Sequence, residues 1–137
     1  MAVSTTALIG WLVSLGWDAQ QEAGAPVVMG PYVPDEPDRI VVVTPTGGPG
    51  YVLEGAADAG TFQARVRGPQ DDQPAAEALA GLLDSLILNA SFPVVLAGGE
   101  VLVHVHRSGS GPSPLGPGPA DGFRWTYVTT YLCISST

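Results

Sequence analysis

The side chains with chemical reach are few. His104 and His106 are the two histidines, Cys133 is the single cysteine, and paired carboxylates stand at Asp35-Glu36 and Asp71-Asp72. Nucleophilic catalysis needs a nucleophile, a base and an orienting group within reach of one another. Cys133 and a histidine across a sheet would supply the types. However, no nucleophile motif surrounds Cys133, and a lone strand cysteine is usually a small buried hydrophobe. His104-x-His106 sets two imidazoles on one side of a strand, a spacing that metals use, but a complete site needs a third and a fourth ligand. Only scattered carboxylates are on offer for those places. Gly47-Gly48-Pro49-Gly50 is not a phosphate loop, because it lacks the lysine that such a loop carries. The carboxylate pairs read as turn and cap residues. The expectation is a protein that is not an enzyme, with no cofactor and no resident metal.

Charge narrows the partners. Thirteen acidic residues face five basic ones, for a formal net charge of −8, and all five basic residues are arginines: Arg39, Arg65, Arg67, Arg107 and Arg124. A protein that grips nucleic acid needs clustered Lys and Arg to release phosphate counterions, and this chain has no such cluster. Its 45% hydrophobic content is too high for a disordered acidic tail. One cysteine excludes an internal disulfide framework and any multi-cysteine metal site. The apolar stretch from Ala7 to Leu15 falls far short of the roughly 20 residues that span a bilayer. No basic residue precedes Arg39, as the start of a secretory signal would require. The expectation is no membrane and assembly in the cytoplasm, in a single domain spanning 1–137.

The elements that must position these residues follow from local pattern. Residues 4–15 predict a helix, with Ser4 as N-cap, Leu8, Leu12 and Leu15 at helical period, and Gly16 at the left-handed closing position. Four prolines between 23 and 38 leave room for one short extended piece, Val27-Val28-Met29. The β-branched run Arg39 to Thr44 predicts a strand buried on both faces. Residues 45–60 read as a long Gly/Pro-rich flexible loop whose hydrophobic tooth, Tyr51-Val52-Leu53, either tucks against the core or forms a short strand, or offers a contact surface to another chain. Thr61 to Arg67 alternates, with Phe62, Ala64 and Val66 inward and Gln63, Arg65 and Arg67 outward. Two of five arginines on one strand face fit either a solvated face or a contact with a neighbouring subunit through guanidinium–carboxylate pairing.

Asp71 or Asp72 caps a second helix that runs to about Asn89, with Pro74 in its first turn. Its apolar stripe is Ala75, Leu79, Leu82, Leu83, Leu86 and Ile87, with Glu77, Asp84 and Ser85 off it. Phe92–Leu96 and Val101–His106 predict a hairpin around Gly98-Gly99. In its second strand Val101, Val103 and Val105 share one face, and Leu102, His104 and His106 the other. Residues 107–122 read as a second flexible loop, and Phe123–Ile134 as a long final strand. The economical packing is an α+β domain, one mainly antiparallel sheet with two helices on one face.

Three stretches together carry a resemblance. Pro34-Asp35-Glu36-Pro37-Asp38 leads into Arg39-Ile40-Val41-Val42-Val43; after the Gly-rich stretch comes Phe62-Gln63-Ala64-Arg65-Val66-Arg67-Gly68, then the acid-capped helix from Asp71 to Leu88. This pattern resembles the tail terminator (minor capsid, tail-completion) proteins of long-tailed bacteriophages, especially those of high-GC actinobacterial hosts. The resemblance covers residues 1–106 and is densest from 34 to 88. It implies a homo-hexameric ring on the head-proximal end of the tail tube that stops tube growth and offers a surface for joining the head. The implied partners are further copies of the chain, the major tail tube protein and head–tail connector proteins. It carries Arg65 and Arg67 over as polar-face contacts. Gln63, Tyr51 and Leu53 join them as expected subunit-interface residues. Gly47, Gly48, Gly50 and Leu115 are expected on tube- or head-facing loops. An acidic, lysine-free lumen would let DNA pass without holding it. Another connector, a tube subunit, or a small ligand-binding domain using His104, His106 or Cys133 are the alternatives.

Overall fold

The computed structural model describes residues 4–17, 27–30, 38–52, 57–96, 98–117 and 123–136. Two side-chain caps start its two helices. Ser4 Oγ accepts from the Ala7 N–H at 3.2 Å and opens α1 (Thr5–Leu12), satisfying a backbone donor that has no partner in the first turn. A wider turn, Val13–Trp17, continues α1, and Gly16 closes it at φ +100°, as the sequence predicts. Asp72 Oδ1 accepts from the Ala75 N–H at 3.1 Å and opens α2 (Gln73–Leu88), with Pro74 in the first turn where its missing N–H costs nothing.

The strands are β1 (Val27–Met29), β2 (Ile40–Val52), β3 (Ala57–Gln70), β4 (Val94–Val95), β5 (Val101–Arg107), β6 (Ser113–Pro114) and β7 (Arg124–Ser136). Among the described residues they form one sheet in the order β1-β2-β3-β7-β5-β4, with β6 pairing β7 beside β5. Only β1–β2 is parallel; every other pairing is antiparallel. This is the expected α+β architecture.

Both helices bury their apolar sides in one core. Leu8, Trp11 and Leu12 of α1 and Ala76, Leu79, Ala80, Leu83 and Ile87 of α2 share a cluster with the sheet residues Val41, Val43, Phe62, Ala64, Val66, Leu102, Val105, Tyr127, Tyr131 and Cys133. Fully burying one such Val, Leu or Phe side chain contributes about 1.5–3 kcal/mol. Phe62 and Tyr131 stack across β3 and β7 with ring centroids 5.3 Å apart. Gly68 lets α2 approach the sheet: a Cβ there would stand 2.7 Å from Ala76 Cβ and 2.8 Å from its backbone. Val41 and Val43 face the helices, while Ile40 and Val42 are as deeply buried on the other face, so the two-sided burial predicted for this run is present.

Three departures from the expected layout have physical causes. The 45–60 stretch is a continuation of the β2–β3 hairpin over Pro45–Val52 and Ala57–Gly60, with Pro45 paired to Phe62, Gly50 to Ala59 and Tyr51 to Asp58. Two register shifts, at Pro45/Gly47 and Gly47/Gly50, absorb the prolines and glycines, and Gly47 takes φ +89°. Proline is tolerated because β1 pairs with β2 only as far as Val43, which leaves the rest of that edge without a strand partner among the described residues. The 107–122 stretch is likewise not all loop: β6 pairs with Val128 and Tyr127, and the Ser108 and Leu115 N–H groups donate to Thr130 and Thr126.

The third departure is a bulge in β5. Leu102 pairs with Ser135 and His104 with Ile134, so Val103 is the extra residue. The bulge turns both Leu102 and Val105 into the core and leaves Val103 41% exposed, where strict alternation had put Val103 with Val105 and Leu102 with the histidines.

Candidate assembly surface

The alternation of β3 sends Gln63, Arg65 and Arg67 to the face away from the helices, and the two arginines then meet different fates. Arg65 is half-buried and its Nη2 donates to Thr44 Oγ1 on β2 at 3.1 Å. Gly30 crosses above this point so closely that a Cβ on it would meet Thr44 Oγ1 and Val42. Arg67 is only 1% exposed, and its Nε donates to the Asp38 carbonyl at 3.0 Å. Arg124 approaches the same residue from β7, its Nη1 3.0 Å from Asp38 Oδ1. The expectation that Arg67 lies beside Arg65 as a surface contact is therefore corrected. A guanidinium taken out of water needs charge-assisted acceptors, and Asp38 supplies one from within the chain.

The rest of that face is mixed in character. Thr44, Thr61, Gln63, Val128, Thr130 and Leu132 are half-exposed in neighbouring positions on β2, β3 and β7. Thr46 and Thr61 hydroxyls lie 2.6 Å apart, and Thr61 Oγ1 also donates to the Gly47 carbonyl at 3.1 Å. The backbones of Gly48, Gly50 and Tyr51 lie on β2, Leu115 is 62% exposed just past β6, and Leu53 falls outside the described residues.

The groups capable of chemistry are dispersed. Cys133 is buried in the helix-side cluster, and burial, helped by the Asp58 carboxylate, pushes its thiol up to about 12. That removes the thiolate a nucleophile needs. His104 and His106 flank Cys133's cross-strand neighbour Val105 and pair with Ile134 and Leu132, residues of the opposite face, so the sheet separates them from the thiol. Among the described residues, no three His, Cys, Asp or Glu side chains gather into a metal-binding group, and no helix is long and apolar enough to cross a membrane. A groove of about 390 Å³ between α1 and β4 is lined by residues such as Ala7, Gly10, Trp11, Val95 and Leu96, with no titratable group in its described lining.

One cluster escaped the sequence reading. Asp84, assigned to the polar side of α2, is buried: Tyr131 donates its hydroxyl to Asp84 Oδ1 at 2.7 Å, and Arg107 Nη1 lies 3.4 Å from Asp84 Oδ2. Burial first, then the hydrogen bond and charge of Asp84, hold the Tyr131 phenol well above its usual range. The signal was present in the spacing, since Ala76, Ala80 and Asp84 recur every four residues on the buried side.

A small sheet domain whose arginines and buried carboxylate are tied up internally, and whose free face mixes threonine, glutamine and aliphatic side chains, is suited to contact with other proteins. The chain belongs to the bacteriophage tail terminator family: a family model described as "Bacteriophage tail terminator protein" matches residues 17–134. The match runs from the end of the α1 segment through β7, beyond the 1–106 over which the sequence pattern carries the resemblance. No curated protein matches the chain. It is a structural component of a phage tail.

Proposed function

We propose that the protein forms a homo-hexameric ring on the head-proximal end of the tail tube, ends tube polymerisation there, and presents the surface to which the head joins. The observation that carries this reading is the family match across 17–134, which reaches from before β1 to within two residues of the end of β7. Its partners are copies of itself, the major tail tube protein and head–tail connector proteins, and it performs no catalysis. Gln63, Arg65, Tyr51 and Leu53 stand at subunit contacts, and Gly47, Gly48, Gly50 and Leu115 face the tube or the head. Among the described residues the β2 edge beyond Val43 has no strand partner, which supports a contact role for this region, because unpaired strand edges seek partners. DNA passes through the lumen without specific binding, and Asp and Glu outnumber Arg on the inner wall.

The test is assembly on purified tail tubes followed by electron microscopy. The expected result is one six-fold ring at one end of each tube, with added tube protein no longer extending that end. Decoration along the tube wall, stacking of the protein into tubes of its own, or tubes that keep growing from the occupied end would overturn the reading.

A further inference from the structure

His104 and His106 are used by none of the contacts above, yet their geometry is specific. Two residues apart on a strand, side chains are spaced by about 6.6 Å. The two imidazole centroids are only 5.4 Å apart, so the rings lean toward each other. Phe92 meets His104 edge-on with centroids 5.3 Å apart, and Trp11 backs Phe92 at 5.8 Å, so the His104 ring is braced by a chain of aromatic contacts. His104 is exposed and His106 half-buried, which leaves the pair open to solutes. A metal–nitrogen bond of about 2.0–2.1 Å puts a ring centroid about 3.2 Å from the metal, so two histidines at a near-tetrahedral angle have centroids about 5.2 Å apart. The observed separation is close to that value.

We propose that His104 and His106 form a two-point site for a divalent first-row transition metal, of the Zn²⁺ or Cu²⁺ type, on the open side of β5. Imidazole nitrogen suits these ions and not Mg²⁺ or Ca²⁺, which take oxygen ligands. Because no third protein ligand stands beside the pair among the described residues, the remaining positions belong to water or to a donor from a neighbouring molecule. The β5 bulge is part of the site. It sends Leu102 and Val105 inward together and leaves the histidines paired on the other side.

The test is calorimetric titration of Zn²⁺ into protein without a polyhistidine tag, joined to the electron paramagnetic resonance spectrum of the Cu²⁺ form. One ion per chain is expected, with micromolar affinity and nitrogen hyperfine splitting in the copper spectrum. His104→Gln and His106→Gln each weaken binding by about tenfold or more, because each halves the chelate. Cys133→Ser leaves the affinity unchanged. Circular dichroism checks that the variants keep the fold; both histidines lie outside the core cluster. No saturable binding at millimolar Zn²⁺, or equal affinity in the two histidine variants and the parent, would sink the proposal.

Discussion

Two charged clusters tie β7 to its neighbours, one on each side of the sheet. On the helix side, Asp84 of α2 accepts from Tyr131 and pairs with Arg107 at the end of β5. On the other side, Asp38 receives Arg67 of β3 on its carbonyl and Arg124 of β7 on its carboxylate. Both join three segments distant in sequence. They differ in where the acid sits: the Asp84 side chain is 12% exposed and that of Asp38 58%. A carboxylate taken out of water depends on its partners, while an exposed one keeps water as an alternative. The same residue types are therefore structural on one side of the sheet and nearly optional on the other.

The sharpest way to break this comparison is to remove the buried acid. Asp84→Ala leaves the Tyr131 hydroxyl without its acceptor beneath α2 and takes the carboxylate from Arg107, whose side chain is 34% exposed and keeps some water, and it is expected to cost about 3 kcal/mol in urea unfolding. A cost no larger than that of a surface change would mean water already reaches the site.

Tyr131→Phe is gentler, since Asp84 keeps Arg107; the expected cost is about 1–3 kcal/mol. It also separates the cluster by pH. The Tyr131 phenol is held above its usual range, so folding favours its protonated form. That contribution is complete below about pH 10, where the unfolded phenol titrates, and is lost as pH rises through the folded value. Cys133 acts in the same direction from its ordinary 9.0 to about 12. The parent should thus lose stability steadily above pH 9, and Tyr131→Phe should show a shallower alkaline slope that retains only the thiol's part. Equal slopes in parent and variant would show that Tyr131 titrates freely.

What the sequence made legible depended on whether one residue's type settled its place. Ser4, Asp72 and Gly16 announce helix ends because capping is local chemistry. The run Ile40–Val43 announces two-sided burial because it offers no polar face. The bulges were illegible. One extra residue at Val103 reverses which neighbours point inward, and the pairing with β7 that fixes it is tertiary. The same holds for the β2 register shifts that turn an apparent loop at 45–60 into strand. Asp84 was misplaced because a charged side chain on α2 was assumed to face water, and Arg67, on the expected face, is instead taken up by Asp38 across the fold. Of the expected contact residues, Gln63 and Arg65 lie on the outward face as the alternation predicts, while Arg67 does not remain available there.

Asp38→Asn tests the other half of the comparison and should have the smallest effect. The substitution keeps the size of the side chain and leaves the Asp38 carbonyl in place for Arg67 Nε, so only the charge facing Arg124 is lost. Arg124 is itself 10% exposed at its side chain, which makes it the more dependent partner of the pair. Even so, water around the exposed acid screens the attraction, and the expected cost is under about 1 kcal/mol. The difference from the parent should shrink further as salt is raised from about 0.01 to 1 M, because the screening length falls from about 30 to 3 Å. If Asp38→Asn costs as much as Asp84→Ala, or if its cost ignores salt, exposure of the acid is not what separates the two clusters. The burial of Arg124 would then set the cost of losing the Asp38 charge.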